Sequence, residues 1–229
     1  DGLQLMLQEL DEYVSKGSAV TVLAEVEEPH FPSFSNISVA FQRGDATSRA
    51  LLDSLEVEKY DHIIVLAYKH LDPQRADSKT LITLLQLRDI EERTAADLNI
   101  VSEMLDDRNR ELAEVTNADD FIVSDKLISL VLSQVSENRK LTAVFDDLFS
   151  SVGSEIYLNP VESYVAPGTS VDFYTVLEAA RQRGETAIGY RTIADARNSE
   201  KGYGVVVNPL KTDSRAFAEG DRIIVLAEG

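Results

Sequence analysis

Residues 18–26 read SAVTVLAEV, and residues 37–47 read ISVAFQRGDAT. The run from Ala19 to Ala24 is short and almost wholly apolar, which predicts a strand buried on both faces, as in a parallel sheet. Glu25 follows at its tip, where an acid holds a ribose hydroxyl in a dinucleotide-binding fold. A second strand is expected over 37–41. Gly44-Asp45-Ala46-Thr47 then turns the chain into a helix, which would bring backbone N–H groups and a helix start near a phosphate. The same four residues also suit a plain strand-to-helix turn capped by Thr47 or Ser48. Glu25, with Glu27 and Glu28 beside it, also suits a solvated loop.

Outward from this stretch the pattern is regular. Leu3, Met6, Leu7, Leu10 and Val14 recur at helical spacing, so residues 2–14 form an amphipathic helix that Gly17 stops. The chain thus opens helix-then-strand, without the strand and Gly-rich turn that begin a complete dinucleotide fold. Downstream, strands are expected over 62–67, 99–103 and 121–123, with helices over 48–55, 78–90 and 107–115. This βα alternation means a parallel sheet flanked by helices.

Residues 125–136 carry Leu127, Ile128, Leu130, Val131, Leu132 and Val135, an apolar arc of about 200°, twice what a surface helix needs. One side can pack on its own sheet, and the other calls for a second partner. A helix over 141–149 follows. After Gly153 the texture changes to a strand at 155–158, a helix at 171–183, and strands at 186–191, 204–207 and 222–227. Pro160, Pro167 and Pro209 punctuate them. The fold class is therefore α/β: a Rossmann-like parallel sheet lacking its first strand over 1–139, then a small α+β subdomain over 140–229.

Composition excludes several function classes. Forty acids against 22 Lys and Arg give a net charge of −18, which repels phosphate backbones, so nucleic acid is not an expected partner. There is no cysteine, hence no disulfide, thiolate metal site or Cys nucleophile. No apolar run reaches the ~20 residues needed to cross a bilayer, so the chain itself is expected to be soluble. Asp77, Glu103, Asp106 and Asp107 fall at strand ends or helix starts, where hard cations find clustered oxygens and where the helix dipole also favours acids. His30, His62 and His70 lack ligand spacing. No G-x-S-x-G elbow or other catalytic constellation is visible.

Several of these stretches together resemble a known family. GDAT after a strand, followed by DSKTLITLL at residues 77–85, is similar to the regulator-of-potassium-conductance (RCK) domain, also called the Trk-type NAD-binding domain. VSEMLDDRNRELAEVTNADDFIVSDKLISLVL at 101–132, NRKLTAVFDDLFSSVGSEIYLNP at 138–160 and ETAIGYR at 185–191 resemble the soluble region of the Castor/Pollux ion channels. The resemblance implies a homo-oligomeric ring on the cytoplasmic face of a membrane. That ring would assemble through the segment from Asp125 to Phe149 and act on pore-forming segments upstream or in a separate chain. It further implies NAD or an adenine nucleotide held by Glu25 and the turn of Gly44, Asp45, Ala46 and Thr47. In one calcium-gated branch three acids bind Ca²⁺. Asp77 and Glu103 match two of them, Leu105 stands at the third, and Asp106 is adjacent.

The expected function is a ligand-sensing gating module of a cation channel of the potassium type, without catalysis of its own. Two rivals belong to other classes: a fragment of an NAD(P)-dependent oxidoreductase, which needs a catalytic residue facing the cofactor, and a soluble regulatory subunit of a separate cation transporter.

Overall fold

The computed structural model describes residues 2–109, 120–150, 153–196 and 198–228. They form two compact units, divided between Glu137 and Asn138.

The first unit opens with helix α1 (Gly2–Tyr13) and the parallel pair β1 (Ser18–Ala24) and β2 (Ile37–Arg43), in register from Ser18↔Ile37 to Ala24↔Arg43. The apolar stripe of α1 lies on this pair, with Leu7, Val22 and Ile37 buried together. Asp11 ties helix to sheet: its carboxylate accepts from the N–H groups of Ser35, Asn36 and Ile37 at 2.7–2.9 Å. Next come α2 (Arg49–Ser54), β3 (Ile63–Val65), α3 (Pro73–Thr94), β4 (Ile100–Met104), β5 (Asp120–Val123) and α4 (Ser124–Glu137). Strands β3, β4 and β5 form a second parallel sheet in that order. Leu84, Leu87 and Ile90 of α3 pack with Leu52, Val65 and Ile100 in its core.

Three expectations are corrected here. The predicted single parallel sheet is, among the described residues, two separate parallel sheets. Consequently β1 is not buried on both faces. Only Val22 of its seven residues is fully buried, because a two-stranded sheet leaves both strands at an edge. Its two faces still serve different cores, Val22 facing α1 and Leu23 packing beside the α3 cluster. Helix α3 also starts earlier than residue 78. Asp72 caps it by accepting from Arg75 N–H at 3.1 Å, and Pro73 takes the first helical position, where its missing N–H costs nothing. Of the helix expected over 107–115, only the 3₁₀ turn Asp107–Asn109 lies within the described residues.

The second unit holds α5 (Leu141–Leu148), β6 (Ser154–Pro160), β7 (Ser170–Asp172), α6 (Phe173–Gln182), β8 (Thr186–Arg191), β9 (Val205–Val207), β10 (Ser214–Ala216) and β11 (Arg222–Glu228). Its main sheet is antiparallel in the order β6-β11-β8-β9, and β7 and β10 make a short second pair. Phe173, Val176 and Ala180 of α6 pack on Ala187, Ile223 and Val225. Gly189 is required where β8 meets β9, since a Cβ there would lie 2.3 Å from the Val206 carbonyl oxygen. The sequence pattern does not predict strands β7 and β10, because each is only three residues long, too short for alternation to mark a strand.

Candidate functional site

The carboxyl ends of β1 and β2 bring two acids side by side, Glu25 just after β1 and Asp45 just after β2. Parallel register makes this unavoidable, because Ala24 pairs with Arg43 and both strands end together. A cation answers them from α3. Lys79 Nζ lies 2.6 Å from Glu25 Oε2 and 3.1 Å from Asp45 Oδ2. The same ammonium sits 4.8 Å from the ring centroid of Tyr68, which follows β3. Four segments distant in sequence thus converge on one charge.

The electrostatics follow from this enclosure. Partial burial works against the charged Lys79, but its hydrogen bonds to Glu25 and Asp45 outweigh that and hold its pKa above the ordinary value. Burial likewise opposes ionisation of Asp45, yet the hydrogen bonds from Thr47 and Lys79 bring its pKa below the usual range. Burial pushes the Tyr68 hydroxyl up, with Lys79 pulling the other way. By formal charge at neutral pH, the two acids and one lysine of the cluster sum to about −1.

The Gly44–Thr47 turn serves this cluster in a way the sequence did not indicate. Gly44 N–H donates to the Ala24 carbonyl at 2.9 Å, and Thr47 N–H donates to Asp45 Oδ1 at 2.9 Å. Ala46 N–H interacts with the Tyr68 hydroxyl, and Ser48 N–H donates to the Asp45 carbonyl. The N–H groups of Gly44, Thr47 and Ser48 are thus engaged inside the fold, and the turn aims Asp45 at Lys79. A Cβ at Gly44 would lie 2.2 Å from Leu51 Cδ2, the free end of a side chain that would have to swing aside. Ser48 stands at the N-cap of α2 without a side-chain capping bond.

The three acids expected to bind Ca²⁺ have other partners. Asp77 is fully buried on α3, and its carboxylate accepts from Leu105 N–H at 2.8 Å, Asp106 N–H at 3.0 Å and Asn109 Nδ2 at 2.8 Å. Glu103 accepts from Ala67 N–H at 3.2 Å and pairs with Lys69 at 3.0 Å. Asp106 pairs with Arg108 at 2.6 Å, and that side-chain hydrogen bond lowers its pKa. Among the described residues no group of three or more His, Asp or Glu is arranged to hold a metal ion. The physical reason is that Asp77 points inward, to the loop after β4, and not outward from a strand end.

Sequence reasoning missed Lys79 and Tyr68. The available signal was logical rather than patterned: two acids at adjacent strand ends require a cation, and Lys79 lies within the quoted DSKT stretch. No described helix is long and apolar enough to cross a membrane. On α4 no residue is buried, and Leu127, Ile128, Leu130 and Leu132 are 46–63% exposed.

Comparison with known proteins agrees with this architecture. No family model matches the chain. It is 32% identical over 222 residues to the ion channel CASTOR of Lotus japonicus, covering 84% of this chain and 25% of that protein. It is 29% identical over 266 residues to the ion channel POLLUX of the same plant, covering 98% of this chain and 28% of that protein. The chain thus spans about a quarter of the length of these relatives. Among solved structures, the human SLO3 gating ring is similar in fold, with a TM-score of 0.63 at 14% identity over 99% of this chain and 42% of that one. The similarity, running across 84–98% of the chain, relates it to the Castor/Pollux ion channels.

Proposed function

We propose that this chain is the regulatory, gating-ring domain of a cation channel, lying on the cytoplasmic face of the membrane and doing no chemistry itself. The observation that carries the reading is the gating-ring fold held across nearly the whole chain, with channel relatives aligned over the same span. The exposed apolar face of α4 supports assembly with further copies, since a monomer leaves it in water. The pore is supplied by segments upstream or by a separate chain.

The ligand of this reading is NAD or an adenine nucleotide, with its ribose on Glu25. Glu25 stands at the strand end that suits a ribose diol, and its Oε1 has no protein partner among the described residues. Calcium at Asp77, Glu103 and Asp106 is not part of the reading, because each carboxylate is already engaged. The phosphates would lie at the Gly44–Thr47 turn, although the N–H groups of Gly44 and Thr47 already have partners within the fold.

The test is current through the full-length protein in planar bilayers, with NAD, NADH, ADP and ATP added in turn. A change in open probability with at least one, lost in Glu25→Ala, is the expected result. Currents indifferent to all four overturn nucleotide sensing. Steady hydride transfer from NADH to a small substrate would instead support the oxidoreductase reading.

A further inference from the structure

We propose that Arg191 and Arg222 form an anion site on the second unit, suited to a phosphoryl group. The site lies wholly within that unit and is independent of the nucleotide reading above.

Antiparallel register sets the two arginines directly opposite each other, Arg222 on β11 and Arg191 on β8. Residues so paired share one face of a sheet, with Cβ atoms about 4.5–5.5 Å apart. Their chain neighbours Ile223 and Tyr190 belong to the core beneath α6, so both arginines stand on the opposite face. The same row continues to Pro160 on β6 and to Val205 on β9, whose side chains offer no acceptor. Each arginine is half-buried. Among the described residues neither guanidinium has a hydrogen-bond or ion-pair partner. The nearest acids in sequence are engaged elsewhere. Asp221 is 3% exposed, and its carboxylate accepts from Ile193 N–H and Ala218 N–H, both at 2.9 Å. Asp195 pairs with Lys201 at 2.8 Å. Like charges directly opposite are destabilising. This pair stands without a counter-charge in a chain whose 40 acids far outnumber its 22 Lys and Arg. A carboxylate would bring one negative charge against two positive ones. A phosphoryl group carries about −1.5 to −2 near pH 7 and presents three acceptor oxygens to two planar forks. The net negative charge of the chain is screened beyond about 10 Å at 0.1 M salt, so the adjacent pair governs what binds there.

Thermal melting of the 229-residue chain in about 20 mM sodium phosphate, against sodium chloride of equal ionic strength, tests this. Wild type is expected to melt about 2–4 °C higher in phosphate. Arg191→Gln and Arg222→Gln should each lose that rise. In chloride both should melt at or slightly above wild type, because the like-charge contact is relieved. Arg191→Lys should keep only part of the rise, since an ammonium has no fork. Phosphate also stabilises folded proteins in general, by exclusion from their surface. A rise equal in wild type and both Gln variants is that general effect alone and overturns the site. So does a lower melting temperature of both Gln variants in chloride with the phosphate rise retained, which marks the arginines as structural. Co-sedimentation with phosphatidylcholine vesicles containing about one-fifth phosphatidic acid then separates the sources of the phosphoryl group. Vesicle binding that is lost in Arg191→Gln assigns it to a lipid headgroup. A phosphate rise without vesicle binding assigns it to a soluble phosphorylated molecule. Neither response in wild type overturns the site.

Discussion

Asp77 shows how one buried carboxylate can organise a loop. It is fully buried and accepts three hydrogen bonds, two of them from the backbone just after β4. Removing the acceptor leaves those part-buried donors without their partner, at about 1–3 kcal/mol each at most, before relaxation and rehydration. Asp77→Ala is therefore expected to cost about 2–4 kcal/mol in urea unfolding, with no dependence on added Ca²⁺. A Ca²⁺-dependent loss would restore the metal reading. Glu178 is the contrasting surface case. Hydrogen bonds from Arg181, and then from Gln182, hold its carboxyl down at about 2 against an ordinary 4.5. A depressed carboxylate adds stability that is complete above its unfolded pKa and is lost as pH falls through the folded one. The stabilisation of the α6 end is thus expected above about pH 4.5 and fades toward pH 2. Carboxyl NMR titration should place the Glu178 midpoint near 2, and Arg181→Ala should raise it toward 4.5.

At the scale of elements, α3 and α4 use apolar residues in opposite ways. In α3, Leu84 and Leu87 vanish into the core against β3 and β4. Truncating Leu84 to Ala removes buried methyl groups and leaves a cavity, for an expected loss of about 3 kcal/mol. In α4, Leu130 is 57% exposed, so a charge there meets water in a single copy. Leu130→Glu should leave the melting temperature of the monomer nearly unchanged and abolish self-association. Light scattering on wild type is expected to report a mass above the 25.3 kDa of one chain, falling to that value in Leu130→Glu. A strictly monomeric wild type at high concentration would remove α4 as the assembly face.

For the molecule as a whole, each unit has its own buried interior: the first has two clusters, at α1 with β1 and β2 and at α3 with its sheet, and the second has one around α6 and the β6-β11-β8-β9 sheet. Damage to one core is expected to stay local. Hydrogen exchange on Leu84→Ala should show faster exchange in β3 and β4 and native protection in β8 and β11. Equal loss in both units would mean that they unfold as one. The net charge of −18 keeps copies apart at low salt, so assembly through α4 should strengthen as ionic strength rises.

What the amino-acid sequence determined by itself was whatever is written locally. The βα alternation, the wide apolar arc of α4 and the change of texture after Gly153 all come from periodicity and turn residues a few positions apart. Glu25 and Asp45 could be placed at strand ends on the same grounds. Only the tertiary structure decided what those acids meet. Lys79 reaches Glu25 across 54 residues and Asp45 across 34, and no spacing rule connects them. The inward turn of Asp77 depends on where the loop after β4 lies over α3, which no local pattern encodes. The division into two parallel sheets is likewise a matter of which strand edges pair, and hydrophobic pattern marks a strand without naming its neighbour. Charge partners and strand neighbours are properties of convergence in space, and convergence exists only once the chain has folded.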